Sequence, residues 1–226
     1  MLVIFDCDGV LVNSEVIAND IFVQELSQLG FHISYEESLE KFTGLSDKKV
    51  YELIESVYQK RFTQTEIDQI QNQIMKELSS RVQAIQGVQS LLRKLQTYHI
   101  PYCIASSGAL ERINTVLQTS KLAPFFKEEM IFSSSMVSRG KPEPDLFLLA
   151  AEKMKKTALD CWVIEDSRAG IQAAKAANMR HIAFFGAEHT QFPWYFERIM
   201  QENPEYICND MHEVESILEK NFKLRA

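Results

Sequence analysis

Acidic, hydroxyl and basic side chains recur in this chain where short apolar runs end. Asp6 and Asp8, one residue apart, follow Leu2 to Phe5 and precede Gly9. Ser106, Ser107 and Gly108 follow Tyr102 to Ala105, and Lys141 lies between Gly140 and Pro142 in the loop after Met130 to Phe132. Glu165, Asp166 and Ser167 follow Cys161 to Ile164. Each group alone has an ordinary explanation: an Asp-Gly turn, helix-capping serines, a solvated lysine, a capping aspartate. Their joint occurrence at four successive strand ends does not. Carboxylates gathered on one edge repel, since two unit charges about 4 Å apart cost roughly 4 kcal/mol at an effective dielectric near 20. A hard divalent cation is the natural remedy. A few oxygen ligands, with positions left for water and a phosphate oxygen, favour Mg²⁺ over zinc or a calcium cage.

These groups meet only if the runs are strands of one parallel sheet. From Gly87 onward helical and apolar segments alternate: helices 87–98, 109–120, 144–155 and 168–178 precede the runs Tyr102 to Ala105, Met130 to Phe132, Cys161 to Ile164 and His181 to Phe185, and Tyr206 to Cys208 adds an edge strand. Such alternation predicts βαβ units, with ligands at the carboxyl ends of the strands. Residues 15–82 read differently. Ile17, Ile21, Phe22, Leu26 and Leu29 form a helical stripe closed by Gly30, and 47–61 and 64–82 continue in helical style. The expected architecture is a Rossmann-like α/β core of residues 1–14 and 83–226, interrupted after its first strand by an α-helical cap of residues 15–82.

The 226 residues are 46% hydrophobic and 24% charged, the balance of a globular protein with a sizeable core. The net charge of −7 includes no Lys/Arg block, so no nucleic-acid partner is expected. No apolar run approaches the roughly 20 residues of a membrane span, and Met1 leads directly into a strand rather than a signal peptide. Cys7, Cys103, Cys161 and Cys208 are far apart and form no metal or disulfide pattern. A cytoplasmic protein, with no membrane partner, is expected. The oligomeric state is not legible, and the five histidines, including His189, show no ligand spacing.

The stretches FDCDGVLVNSE, IASSG, GKPEPD and VIEDSRAGIQAAKAANM resemble, in order and spacing, the four motifs of the haloacid dehalogenase superfamily of phosphohydrolases. The helical insert resembles the cap of its β-phosphoglucomutase-like subgroup. The resemblance implies that Asp6 is the nucleophile forming an aspartyl-phosphate and Asp8 the general acid/base. It implies that Ser106, with Ser107 beside it, and Lys141 bind the phosphoryl group. Asp166, supported by Glu165, would complete an Mg²⁺ site with Asp6 and the backbone carbonyl of Asp8. The implied activity is hydrolysis of a small phosphorylated metabolite, a sugar phosphate or phosphorylated sugar acid.

A sugar-phosphate mutase is the alternative within the subgroup, but two of its features are missing. Its histidine four positions after the Ser/Thr closing the first motif is Ala18 here, and its cap arginine falls at Asp47. Lys48 and Lys49 stand nearby as partial replacements for that positive charge. Dehalogenation would not need the metal-site acids, and a non-catalytic phosphate-binding regulator would not need every catalytic position intact. Thr43, Gly44 and Lys48, between two predicted helices, are the expected specificity loop.

Overall fold

The computed structural model describes residues 1–43 and 45–222. Six parallel strands, β1 (Leu2–Phe5), β2 (Tyr102–Ser106), β3 (Ile131–Ser133), β4 (Cys161–Glu165), β5 (Arg180–Phe184) and β6 (Tyr206–Cys208), form one sheet in the order β3-β2-β1-β4-β5-β6. This is the Rossmann-like α/β sheet expected from the alternating pattern. The chain builds outward from β1 in one direction and then crosses to β4 on its other side, so the topological switch lies beside β1. Every residue of β1, β2 and β4 is buried, which explains the continuous apolar runs. The two faces are nevertheless distinct. Leu2 and Ile4 pack with Cys103, Val163 and Phe147 on one side, whereas Val3 and Phe5 pack with Ile104, Ile164 and Leu92 on the other.

Between β1 and β2 come α1 (Glu15–Gln28), α2 (Tyr35–Phe42), α3 (Asp47–Tyr58), α4 (Gln64–Arg81) and α5 (Val88–Thr97). The first four make up the helical stretch read from the sequence. Helix α2 has no counterpart in that reading because it is only eight residues long, so Tyr35, Leu39 and Phe42 give barely two turns of apolar spacing. A further signal is at its start: Ser34 accepts a hydrogen bond from the Glu37 amide, capping the helix. Helices α6 (Leu110–Thr119), α7 (Asp145–Lys153) and α8 (Arg168–Ala176) flank the sheet, and α9 (Pro193–Met200) and α10 (Met211–Phe222) bracket β6. Neither α9 nor α10 stood out in the sequence, although Met211, Val214 and Leu218 give α10 a buried helical stripe. Among the described residues, no helix is long and apolar enough to cross a membrane.

The turn from β4 into α8 is built around a buried carboxylate. Both the backbone amide and the hydroxyl of Ser167 donate to Glu165 Oε2 at 2.9 Å, and Ser167 Oγ in turn accepts from the Gly170 amide at 3.1 Å, capping α8. A β-carbon on Gly170 would fall 1.8 Å from Glu165 Cδ, so the carboxylate occupies the space a side chain would need. Ordinary helix propensity makes Gly→Ala stabilising by up to about 1 kcal/mol. At this position the clash reverses the sign: Gly170→Ala is expected to lower stability by about 1–3 kcal/mol, read as a lower melting temperature in calorimetry. An unchanged or raised melting temperature would show that Glu165 can leave its place at little cost.

Candidate active site

The four sequence stretches do converge at the carboxyl edge of the sheet. Asp6 extends β1, and its Oδ1 accepts a hydrogen bond from Lys141 Nζ at 2.5 Å. The same ammonium donates to Glu165 Oε1 at the end of β4. Lys141 is only 5% exposed and lies 5.0 Å from the centroid of the Phe147 ring, so its charge is surrounded by carboxylates and hydrocarbon. Burial opposes the ammonium charge, but Asp6 and Glu165 outweigh it and raise the lysine pKa. Asp6 moves well above the usual carboxylate range. Burial is the main cause; Lys141 pulls the other way, and the neighbouring acids Glu165, Asp166 and Asp8 add to the rise.

Asp8, one residue further, has a different set of partners. Ser14 Oγ donates to its Oδ1 at 2.5 Å and Arg112 Nη2 at 3.0 Å. The two aspartates thus diverge, Asp6 toward the loop after β3 and Asp8 toward the first turns of α1 and α6; residues two apart on a regular strand would share one face, but the chain leaves β1 after Phe5 and bends at Cys7. Gly9, at φ +80°, makes the turn that follows. A β-carbon there would lie 2.1 Å from Asp166 Oδ2, so the missing side chain lets the end of β4 approach this turn.

Asp166 is buried, and His189 Nε2 lies 2.7 Å from its Oδ2. Burial lowers the pKa of His189, against the pull of Glu15 and Asp8, and so favours the neutral ring. The neutral ring can donate from Nε2, while Nδ1 is buried without a hydrogen-bond partner. Burial and the adjacent Glu165 also hold Asp166 well above the ordinary carboxylate range. Ser106 is buried and its Oγ accepts from the Gly108 amide at 3.1 Å. The loop it begins is tied to β3 by Ser134 Oγ donating to the Ser107 carbonyl and Ser133 Oγ to that of Gly108.

Asp6, Asp8, Ser106, Ser107 and Asp166 line a gap of about 40 Å³, whereas Lys141 and Glu165 stand behind Asp6. Thr43 lines the gap as well. Gly44 lies outside the described residues, and Lys48 is away from the gap, its side chain largely exposed and 4.0 Å from Glu52. Three participants were not singled out by sequence. Arg112 lies in the first turn of α6 outside the four stretches, Glu15 closes the stretch FDCDGVLVNSE without a role of its own there, and His189 belongs to the turn after β5. That loop follows a strand at the same sheet edge, so the rule that located Asp166 reaches it as well.

Burial and the charge of Asp8 push the Glu15 carboxyl up to about 7, against the pull of Arg112, whose Nη2 is 3.7 Å away. A carboxyl whose pKa is higher folded than unfolded costs stability as pH rises from the unfolded value, near 4.5, toward the folded one. In metal-free buffer, the melting temperature of Glu15→Gln relative to the parent should therefore climb between about pH 5 and pH 7.5 and then level off. A difference that is flat over that interval would mean that Glu15 stays ionised throughout.

Comparison with known proteins agrees with this geometry. Residues 3–184 match the family model described as haloacid dehalogenase-like hydrolase. The chain is 29% identical to 6-phosphogluconate phosphatase of Escherichia coli over 193 residues, covering 84% of each protein. It is 30% identical to β-phosphoglucomutase of Bacillus subtilis over 194 residues, covering 78% of this chain and 80% of that one. A crystal structure of a conserved haloacid dehalogenase-like protein of unknown function from Agrobacterium tumefaciens superposes with a TM-score of 0.81 at 33% identity, with 97% of each chain covered. This chain belongs to the haloacid dehalogenase-like hydrolase family.

Proposed function

We propose that the protein is an Mg²⁺-dependent phosphatase that hydrolyses a small phosphorylated metabolite, a phosphoric monoester, through an aspartyl-phosphate on Asp6. The observation that carries this reading is the placement of Asp6 at the switch point of the sheet, bound on one oxygen by Lys141 and facing a polar gap shared with Asp8. With Lys141 on Oδ1, the other oxygen of Asp6 is left to form the bond to phosphorus as the ester P–O bond breaks. Asp8 gives its proton to the departing alkoxide, then takes one from a water molecule, whose oxygen attacks phosphorus and releases phosphate from Asp6. Ser14 and Arg112 hold the Asp8 carboxylate in one orientation for both transfers. Ser106 and the loop through Ser107 bind the phosphoryl oxygens, and Lys141 offsets their charge.

The donor set fits a hard divalent cation. Five carboxylates line the gap, those of Asp6, Asp8, Glu15, Asp47 and Asp166, against one lining cation, Arg112, with Lys141 behind. Asp6 and Asp166, both raised in pKa by burial, need further positive charge to remain ionised. Among the described residues, no three acidic, histidine or cysteine side chains are grouped to hold an ion by themselves. The site inferred from the family needs only two aspartate side chains, of Asp6 and Asp166, with the carbonyl of Asp8. Bound there, Mg²⁺ would supply Lewis-acid polarisation of the phosphoryl group and neutralise part of its charge.

Helices α1 to α4 serve in this reading as the cap over the site, with Thr43 at the boundary between gap and cap. Phosphatase is preferred to mutase because Ala18, where a mutase has its histidine, is a buried methyl lining the space beside the gap. Four buried free thiols suit a reducing, cytoplasmic setting. With Mg²⁺ present, phosphate release from p-nitrophenyl phosphate is expected and should vanish with EDTA. In Asp6→Asn it should fall by at least about 10³-fold, the scale of losing a covalent nucleophile. Activity that persists in that variant would remove Asp6 from the chemistry.

A further inference from the structure

Beside the gap, and sharing Glu15, Thr43, Leu45, Asp47 and Arg112 with it, is a larger cavity of about 250 Å³. It lies on the side of Asp8, where the alcohol of the proposed phosphatase reaction departs. Its apolar wall is aromatic: Phe22 packs edge-on against both Phe42 and Tyr51, with ring centroids 6.1 Å apart in each pair. Uncharged polar groups complete the lining, among them Asn19, Gln71 and Asn72. Ser38, whose buried hydroxyl has no hydrogen-bond partner, belongs to the same lining.

Acids outnumber bases in this cavity. Among the described residues that line it, Glu15, Asp47 and Glu111 are acidic and Arg112 alone is basic, a formal balance of 1 − 3 = −2 with Glu15 ionised and 1 − 2 = −1 with it protonated. Arg112 is already engaged, 3.0 Å from Asp8 and 3.7 Å from Glu15. No lysine is among the described lining residues; Lys48 is turned toward Glu52 and Lys41 toward Glu37, both on exposed surface, and Lys49 is exposed. An ester with a second anionic group would find no uncommitted cation among the described lining residues and would lie beside the exposed carboxylates of Asp47 and Glu111. An uncharged alcohol would meet amides, hydroxyls and ring faces instead.

We infer that the substrates are phosphomonoesters of electrically neutral alcohols bearing several hydroxyl or amide groups and one apolar face, and that this cavity discriminates against sugar acids and bisphosphates. The inference rests on the phosphatase reading and narrows it. Phosphorylated sugar acids, which include the substrate named for the Escherichia coli relative, fall on the disfavoured side. The chemistry of a neutral alcohol with an apolar face is shared by polyols and nucleosides.

The test is a set of kcat/KM values with Mg²⁺ for a hexitol 6-phosphate, a pyrimidine nucleoside 5′-monophosphate, 6-phosphogluconate and glucose 1,6-bisphosphate. p-Nitrophenyl phosphate serves as the reference, and any ester not turned over is ranked by its inhibition constant against that reference. At least one of the two neutral-alcohol esters should exceed both anionic ones by about tenfold or more, the scale of one unfavourable charge contact. Asp47→Asn and Glu111→Gln should each narrow that ratio, chiefly through a lower KM for the anionic esters. An anionic ester that matches or exceeds both neutral ones overturns the inference while leaving the phosphatase reading intact. Absence of phosphate release from every compound, p-nitrophenyl phosphate included, overturns both.

Discussion

Burying several carboxylates at one edge of a parallel sheet is the constraint from which most of the local structure follows. Strands β1 and β4 are neighbours, so the groups that follow them, Asp6 on one side and Glu165 with Asp166 on the other, are forced together. A buried charge without a partner costs several kcal/mol, and attraction recovers that cost only where geometry and hydrogen bonding are good. Lys141 bridges Asp6 and Glu165 and meets that condition for both. The other oxygen of Glu165 then takes two donors from Ser167, and Ser167 caps α8. The absence of a side chain at Gly170 is a consequence of the same packing, since Glu165 lies where its β-carbon would be. The start of α8, the seat of Lys141 and the orientation of Asp6 form one connected arrangement of charges.

A second cation organises the other half of the site. Arg112 joins Asp8 on the core to Glu15 at the start of α1, and Ser14 binds the same carboxylate oxygen as Arg112. Asp6 and Asp8, two residues apart, are therefore held by different cations, Lys141 from the loop after β3 and Arg112 from α6, with buried Cys7 between them. This separation suits the proposed division of work, in which one aspartate forms a bond to phosphorus and the other moves a proton. It also ties the proton-handling group to the helical segment, because Ser14 immediately precedes α1.

How much of this was legible in the sequence follows from the same physics. In a parallel sheet every strand presents its carboxyl end to one edge, so Asp6, Asp8, Ser106, Lys141, Glu165 and Asp166 could be assembled without knowing the strand order. The runs that identify the strands are unbroken because both faces are covered. Arg112 and Glu15 were not legible because a charged residue in the first turn of an amphipathic helix is ordinarily on a solvated face; only tertiary packing turns these two inward. His189 sits in a short 3₁₀ turn after β5, where no periodicity marks it. Helix α2 was not legible because it is short: Tyr35, Leu39 and Phe42 mark only about two turns, too few for periodicity to stand out.

The division between what the sequence reveals and what it conceals matches the division between chemistry and selection. Phosphoryl transfer needs few groups, fixed tightly, and strand ends fix them; their spacing is accordingly a recognisable pattern. Choosing among alcohols needs a surface assembled from several helices, where Phe22 comes from α1, Phe42 from α2, Tyr51 from α3 and Gln71 from α4. No two of these are linked by a short motif, and each by itself reads as packing or solvated surface. Their meaning lies in the largely uncharged wall they form together. In the proposed reaction Lys141, behind Asp6, and the cation would meet one phosphate, whereas the space beyond the gap offers acids whose single arginine is already paired. On this reading the positive charge of the site would serve the phosphoryl group, leaving the alcohol to shape and hydrogen bonding.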